Sequence, residues 1–437
     1  MTSVKPEGKG TAGGSKSKDA PLQLRVPPSK SLTQRALLIS SLSPGKSRVF
    51  DPLDCDDSRV LMEALQKMGV SFRHLPPSQN AVGGVEVEAP ESLRLPQETL
   101  FLNNAGTAVR FLTALSPVLL MESLGAPLRI DGVEAMRRRP MPGLLSALES
   151  LGVQTTTPRR AHCPPLELSR DLTRAEAIWG ANVRQRPVIL LDPSGSSQQL
   201  SGLLMMAPRL PQGLEIHLTA PLPSSPYVDL TLEVMEAFGV QVEWDRDPAG
   251  GRFCVPGGGY APARYTVEGD HSSASYLLAA SALTGRRLGD LNVSSSSKQG
   301  DRVFKEILED LQTPGAKRVD MHRCPDVAPT ALAYALFRHH PTQIVNVSHL
   351  KIKECDRIQV LANELSKLGA QIHPRDDGWE VTPAPLSGPA TLDPHGDHRM
   401  AMVFGLIALR VGGLKISEPG CVDKSFGNYW EVLEAFE

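Results

Sequence analysis

Eight cationic side chains fall at expected helix starts or in nearby loops. Lys30, Arg35, Arg110 and Arg399 belong to the helix starts. Arg139 in "MRRRP", Lys353 and Arg357 in "KIKECDR", and Lys424 in "CVDKSF" belong to loops. The formal net charge is only −2, so this positive character is local rather than global. It points to a small ligand carrying several negative charges. Arginine suits carboxylates and phosphates because its planar fork donates two parallel hydrogen bonds. Two carboxylates stand among these cations and are candidates for proton transfer. Asp326 lies in a "CPD" turn expected to open a buried helix, where the helix dipole lowers a carboxyl pKa. Glu354 lies between Lys353 and Arg357 in the chain, which favours its ionised form. His398 follows an acid at a helix start and reads as structural. No His, Asp and Glu cluster has metal-ligand spacing.

The elements that must hold these groups recur. "DHRMAMVFGLIAL", from Asp397, is charged for three residues and then almost wholly apolar, so it reads as a helix buried on all sides. Related stretches begin at Ser29, Asn103, Ser196, Asp270 and Asp326, each with a residue that caps helix N-termini. Pro329 falls in a first turn, where proline is tolerated. A second, amphipathic family alternates with the first, for example "LMEALQKMGVSF" and "LANELSKLGAQI". Gly69, Gly152, Gly239 and Gly369 are placed to take the left-handed C-cap of these helices. Short β-prone segments follow, and "YWEVLEAFE" reads as a shortened last copy. The chain therefore reads as six αβ units, in two domains of three, with "VPGGGYAPA" as a crossing. Each helix start leaves N–H groups unpaired and carries about half a positive charge, so several aimed at one place bind an anion.

Bulk properties exclude other classes. At 437 residues the chain exceeds one ordinary core. No basic field calls for nucleic acid, and 5% aromatics offer no stacking platform for bases. Six scattered cysteines form no C-x-x-C pair, which disfavours zinc and suggests a reducing, intracellular compartment. No apolar run reaches membrane-spanning length. Residues 1–20, rich in Gly, Ser and Lys, read as a disordered leader rather than a secretory signal.

In order, "PSKSLTQRA", "NNAGTAVR", "RRRP", "SGSSQ", "SSPY", "DHSSASY", "PD", "KIKECDR", "GDHRMAM" and "DKSF" resemble the 5-enolpyruvylshikimate-3-phosphate (EPSP) synthase family, from about Leu22 to the C-terminus. The resemblance implies an α/β (α+β) fold, a two-domain inside-out α/β barrel. Each domain has three repeated βαβαββ units with inward-packed helices. Residues 21–28 plus 268–437 would form the first globular domain and 29–267 the second, with the active site in the interdomain cleft. The implied activity is that of 3-phosphoshikimate 1-carboxyvinyltransferase. The enolpyruvyl group of phosphoenolpyruvate passes to the 5-hydroxyl of shikimate 3-phosphate, and phosphate is released. The implied enzyme is a cytoplasmic monomer of the shikimate pathway, without cofactor or metal, with glyphosate as an inhibitor.

Position by position, the resemblance assigns Lys30, Ser31 and Arg35 to shikimate 3-phosphate, with Lys30 also reaching phosphoenolpyruvate. Ser196, Ser197, Ser224 and Tyr227 would hold shikimate phosphate and hydroxyls, and Gln198 would lie between the substrates. Asn104, Gly106, Thr107, Arg139, Arg357, Arg399 and Lys424 would line the phosphoenolpyruvate site, together with Glu354. Asp326 and Lys353 would bind the shikimate hydroxyls. Addition and then elimination through a tetrahedral intermediate needs two proton handlers, drawn from Asp326, Glu354 and Lys30. Asp326 suits the hydroxyl; Glu354 or Lys30 suits C3. Three positions depart from the pattern common in the family, one being Phe111, where many bacterial members have proline. Pro28 stands where glycine is more common, and His349 stands where a shikimate-binding asparagine is common. The rival readings are a UDP-N-acetylglucosamine enolpyruvyl transferase and an inactive binding domain of a multifunctional shikimate-pathway polypeptide. The first expects Asn beside Lys30 and a cysteine in "DGVEAMRRRP"; neither is present.

Overall fold

The computed structural model describes residues 20–77, 82–121, 125–180, 183–247 and 250–437. The leader expected over residues 1–20 lies outside them except for its last residue. The chain divides into two compact units. One holds the chain up to Pro27 together with Gly269–Glu437; the other is Pro28–Glu268.

Among the described residues of Pro28–Glu268, three four-stranded sheets share one plan. Gly45–Phe50 runs parallel to Arg264–Thr266 and antiparallel to Gly84–Ala89, which pairs antiparallel with Ser71–Leu75. The plan returns in Leu100–Phe101, Leu128–Asp131, Leu166–Arg170 and Val153–Thr156. It returns again in Val188–Leu191, Leu214–Leu218, Arg252–Val255 and Glu243–Asp245. In the other unit Lys317–Asp320, Thr342–Val345, Gly378–Thr382 and Gln371–Arg375 repeat it, and Ala390–Leu392 pairs in parallel with Leu414–Ile416. A parallel pair needs a crossover, and a helix supplies it. Ser197–Met206 joins one such pair, Ala328–Ala335 the next and His398–Ala408 the last.

The two helix families differ in burial as their sequences require. His398–Ile407 is buried at every position, and Leu32–Ser41 likewise. Phe304–Gln312 buries only Phe304, Leu308 and Leu311, the single stripe of an amphipathic helix. Gly69, Gly152, Gly239 and Gly369 all take positive φ, from 80 to 98°. After three of them the chain closes a Schellman motif, with Val70 N–H donating to Leu65 O, Val240 to Met235 O and Ala370 to Leu365 O.

The buried helices begin less uniformly than their sequences suggest. Ser196, Asp270 and Asp397 cap with their side chains. Ser29 caps without a side-chain hydrogen bond. Asn103 is not a cap; it adopts φ +47°, and the helix starts at Gly106. Asp326 lies in the single 3-10 turn Pro325–Val327, and its helix starts at Ala328. In both cases tighter turns intervene, because the chain must reverse before the helix can run.

The segment before Pro28 belongs to the C-terminal half. Leu22 bridges Leu288, and Val26 exchanges two hydrogen bonds with the Asn292 side chain at 2.8 and 3.0 Å.

Candidate active site

In Pro28–Glu268 the polar groups collect where the buried helices begin. The Lys30 ammonium lies 3.4 Å from Asp57, which heads the helix Asp56–Lys67. Gln198 donates to Thr107 Oγ1 at 3.0 Å, tying the start of Ser197–Met206 to that of Gly106–Ala114. Those two helices touch at Gly202, where a Cβ would lie 2.9 Å from that of Ala114. The Arg139 guanidinium lies flat against Gly106. A Cβ there would fall 2.7 Å from Arg139 Nη1, so a larger residue would have to displace the guanidinium. Arg139 is 8% exposed, and its Nε and Nη1 have no hydrogen-bond partner among the described residues. Leaving buried cationic donors unpaired is costly, so this guanidinium is set to receive an anion.

Arg35 sits within the helix Lys30–Ser41. It is 2% exposed and donates to Thr231 Oγ1, Ser201 Oγ and the carbonyls of Ser31 and Tyr227. Burial lowers its pKa to about 10, which leaves it charged at neutral pH. Through Nε and Nη2 it ties its own helix to Ser197–Met206 and to Pro226–Ala237. Ser31 and Tyr227 meet Arg35 through their backbones. Ser224, at φ +54°, is buried just before the helix Pro226–Ala237.

The other unit holds a dense charged cluster. Arg357 heads the helix Arg357–Ser366, while Lys353 ends the preceding 3-10 turn, so the two do not share a helix. The Arg357 guanidinium is 2% exposed and pairs with Asp397 at 2.7 Å, Glu354 at 2.9 Å and Asp326 at 3.4 Å. Burial works to lower its pKa, but Asp397, Glu354 and Asp326 together raise it above the usual value. Arg399 holds Asp326 twice, from Nη2 to Oδ2 at 2.9 Å and from Nη1 to the carbonyl at 3.2 Å. Lys353 lies 3.9 Å from Asp326. Glu354 takes Arg357 and Lys424, the latter at 3.1 Å, rather than the Lys353 suggested by sequence order. His349 has Nε2 buried without a hydrogen-bond partner among the described residues. Burial first, then Lys353, lowers its pKa to about 4, so at neutral pH it is an uncharged imidazole.

Sequence reasoning missed three participants. Asp57 was hidden as an ordinary acid in a first helical turn. Asp397 was read only as the charged opening of its helix, but also anchors Arg357. Asp301, in "QGD", is 5% exposed and accepts from the Ser272 hydroxyl. A buried acid beside a helix start has no signature in local spacing, because its partners are distant in the chain. Among the described residues no group of three or more His, Cys, Asp or Glu side chains could hold a metal ion, and no helix is long and apolar enough to cross a membrane.

Comparison with known proteins identifies the family. A relative from Methanoculleus marisnigri, named 3-phosphoshikimate 1-carboxyvinyltransferase, is 36% identical over 93% of this chain and 95% of its own. A chloroplastic protein of the same name from Brassica napus is 36% identical over 94% of this chain and 82% of its own. The structure of EPSP synthase from Acinetobacter baumannii matches with a TM-score of 0.70 over 95% of both chains, at 22% identity, which speaks to fold. These comparisons lend no support to a UDP-N-acetylglucosamine transferase or to a non-catalytic module. The family model described as EPSP synthase (3-phosphoshikimate 1-carboxyvinyltransferase) matches residues 16–433, and the chain belongs to that family.

Proposed function

We propose that the chain transfers the enolpyruvyl group of phosphoenolpyruvate to the 5-hydroxyl of shikimate 3-phosphate and releases phosphate, within aromatic amino acid biosynthesis. Family membership supports the substrates. The observation that carries the chemistry is the setting of Asp326 and Glu354. Each carboxylate is held by two or more cations, Asp326 by Arg357, Arg399 and Lys353, Glu354 by Arg357 and Lys424. An incoming carboxylate or phosphate competes for those cations. As the cations turn to the substrate, the carboxylates lose their charge compensation and become stronger bases. The site thus arms its proton handlers when it fills.

The hydroxyl adds to C2 while C3 takes a proton; phosphate then leaves as C3 gives a proton back. Asp326 is assigned to the hydroxyl, and Glu354 or Lys30 to C3. Arg139, Arg357, Arg399 and Lys424, with Asn104, Gly106 and Thr107, are assigned to phosphoenolpyruvate. Lys30, Ser31, Ser196, Ser197, Ser224, Tyr227, His349 and Lys353 are assigned to shikimate 3-phosphate, with Gln198 serving both. Arg35 is also assigned to shikimate 3-phosphate, and its hydrogen bonds hold Ser31 and Tyr227 in place. The recurring sheets and wholly buried helices support reading each unit as three βαβαββ repeats with their helices packed inward, the inside-out barrel. Glyphosate is assigned to the phosphoenolpyruvate residues. The six free cysteines support a reducing compartment, assigned here to the cytoplasm; the chain is assigned as a monomer on the family resemblance alone.

The test is phosphate release with both substrates present and with each omitted in turn. Release should require both, and Asp326→Ala should lower kcat by about 10²–10⁴. Release from phosphoenolpyruvate alone, or none from the complete mixture, would overturn the assignment.

A further inference from the structure

The segment Gln299-Gly300-Asp301 takes no part in the assignments above, yet it is built into the same unit with care. Gln299 is 5% exposed; its Oε1 accepts from His271 N–H at 3.1 Å and its amide donates to Gly269 O at 2.9 Å. That clamp fixes the start of the helix His271–Thr284. Asp301, two residues on, reaches the same helix start. Its Oδ2 accepts from the Ser272 hydroxyl, while its Oδ1 is buried with no hydrogen-bond partner among the described residues. Ser272 is 8% exposed, and its oxygen in turn lies 3.4 Å from Arg399 Nη2. The same nitrogen binds Asp326 Oδ2. A continuous line therefore runs from Asp301 through the Ser272 hydroxyl to Arg399 and Asp326.

A hydroxyl has one proton and two lone pairs. Committing the Ser272 proton to Asp301 leaves its lone pairs for the guanidinium, and that fixes which edge of Arg399 stays on Asp326. We propose that Asp301 is a positioning residue that, through Ser272, orients Arg399 against Asp326 for anionic substrate. The proposal rests on the function assigned above.

Electrostatics add a consequence. The groups facing Asp301 are Asp326 and Cys324 from the turn before Ala328, Arg399 from His398–Ala408, and Ser272 and Asp270 from the start of His271–Thr284. Burial, then Asp326, pushes the Asp301 carboxyl up to about 7, against the pull of Arg399 and Ser272. Below that pH the group is neutral and places no charge opposite Arg399. Above it one more negative charge faces Arg399. Binding of phosphoenolpyruvate should therefore weaken as pH rises through about 7, and should draw a proton onto Asp301 near neutrality.

The experiment measures phosphoenolpyruvate binding by calorimetry with shikimate 3-phosphate omitted, so that no turnover occurs, at pH 6 and 8 and in buffers of different ionisation enthalpy; kcat and KM are measured separately with both substrates. Asp301→Ala and Ser272→Ala should each raise Kd at pH 6 by about tenfold, and the double variant should be no worse than either. Asp301→Asn still offers an acceptor to Ser272. It should keep Kd within about threefold at pH 6 while losing both the weakening at pH 8 and the proton uptake. If Asp301→Ala does not fold, Asp301→Asn and Ser272→Ala still decide the matter. Wild-type proton uptake that survives in Asp301→Asn, or effects of the two alanine variants that multiply, would overturn the proposal. A wild-type chain that binds phosphoenolpyruvate but releases no phosphate would overturn the functional assignment alone.

Discussion

Asp397 carries two loads at once. Its carboxylate caps a buried helix by accepting from Arg399 N–H at 2.9 Å and holds the Arg357 guanidinium at 2.7 Å. The first role was legible, since an acid opens an apolar helix. The second was not, because Arg357 is 40 residues away. The same limit hid Asp301, whereas the cations announced themselves through motifs. Two groups in this region titrate in opposite senses. Asp301 rises from 3.8 to about 7, so its contribution to stability is complete below about 4 and is lost as pH climbs to about 7. His349 falls from 6.5 to about 4, so its contribution is present above about 6.5 and is lost as pH falls towards 4. In the wild type the two offset each other across one window. Asp301→Asn should therefore show stability rising with pH relative to wild type between about 4.5 and 6.5, and His349→Asn should show it falling. Each difference should span roughly 1–3 kcal/mol. Urea denaturation at several pH values reads both; slopes of the same sign would contradict the assignment.

At the level of elements, the glycine stops were the most legible feature. Only glycine enters the left-handed region cheaply, so Gly69, Gly239 and Gly369 marked helix ends before any coordinates. The starts were less legible, because a cap residue states a local preference and a reversing chain can override it, as at Asn103 and Asp326. Helix contact was also invisible in advance. Gly202 lets Ser197–Met206 approach Gly106–Ala114, with its absent Cβ only 2.9 Å from that of Ala114 and 3.3 Å from Arg110 O. A larger residue must part the two helices and, with them, the Gln198–Thr107 hydrogen bond. Gly202→Val should cost about 1–3 kcal/mol of stability. It should also raise KM for phosphoenolpyruvate more than Gln198→Ala does. Thermal unfolding and steady-state kinetics check the pair; an unchanged Tm would show that the contact yields easily.

For the whole molecule, the alternation of wholly buried with half-exposed helices was readable because helix burial and glycine stops recur together. The shared sheet plan was not readable, since strands such as Leu100–Phe101 and Arg264–Thr266 are too short to show alternation. Each unit has its own apolar core, one drawn from Leu32 to Val267 and the other from Val26 and Ala274 to Phe436. Residues 28–268 form an uninterrupted segment with a complete core, so that fragment should fold alone. It should unfold cooperatively in urea, whereas 269–437 without the Leu22–Val26 segment should not. A 28–268 fragment lacking a cooperative transition would refute this. The join between Val26 and Asn292 also has a meaning in time. On the ribosome, at about 5–20 residues per second, Val26 emerges roughly 13–53 s before its partner 266 residues later. Throughout that interval a short apolar stretch has nothing to pair with, and a chaperone that shields it would change how much enzyme a cell obtains from each message.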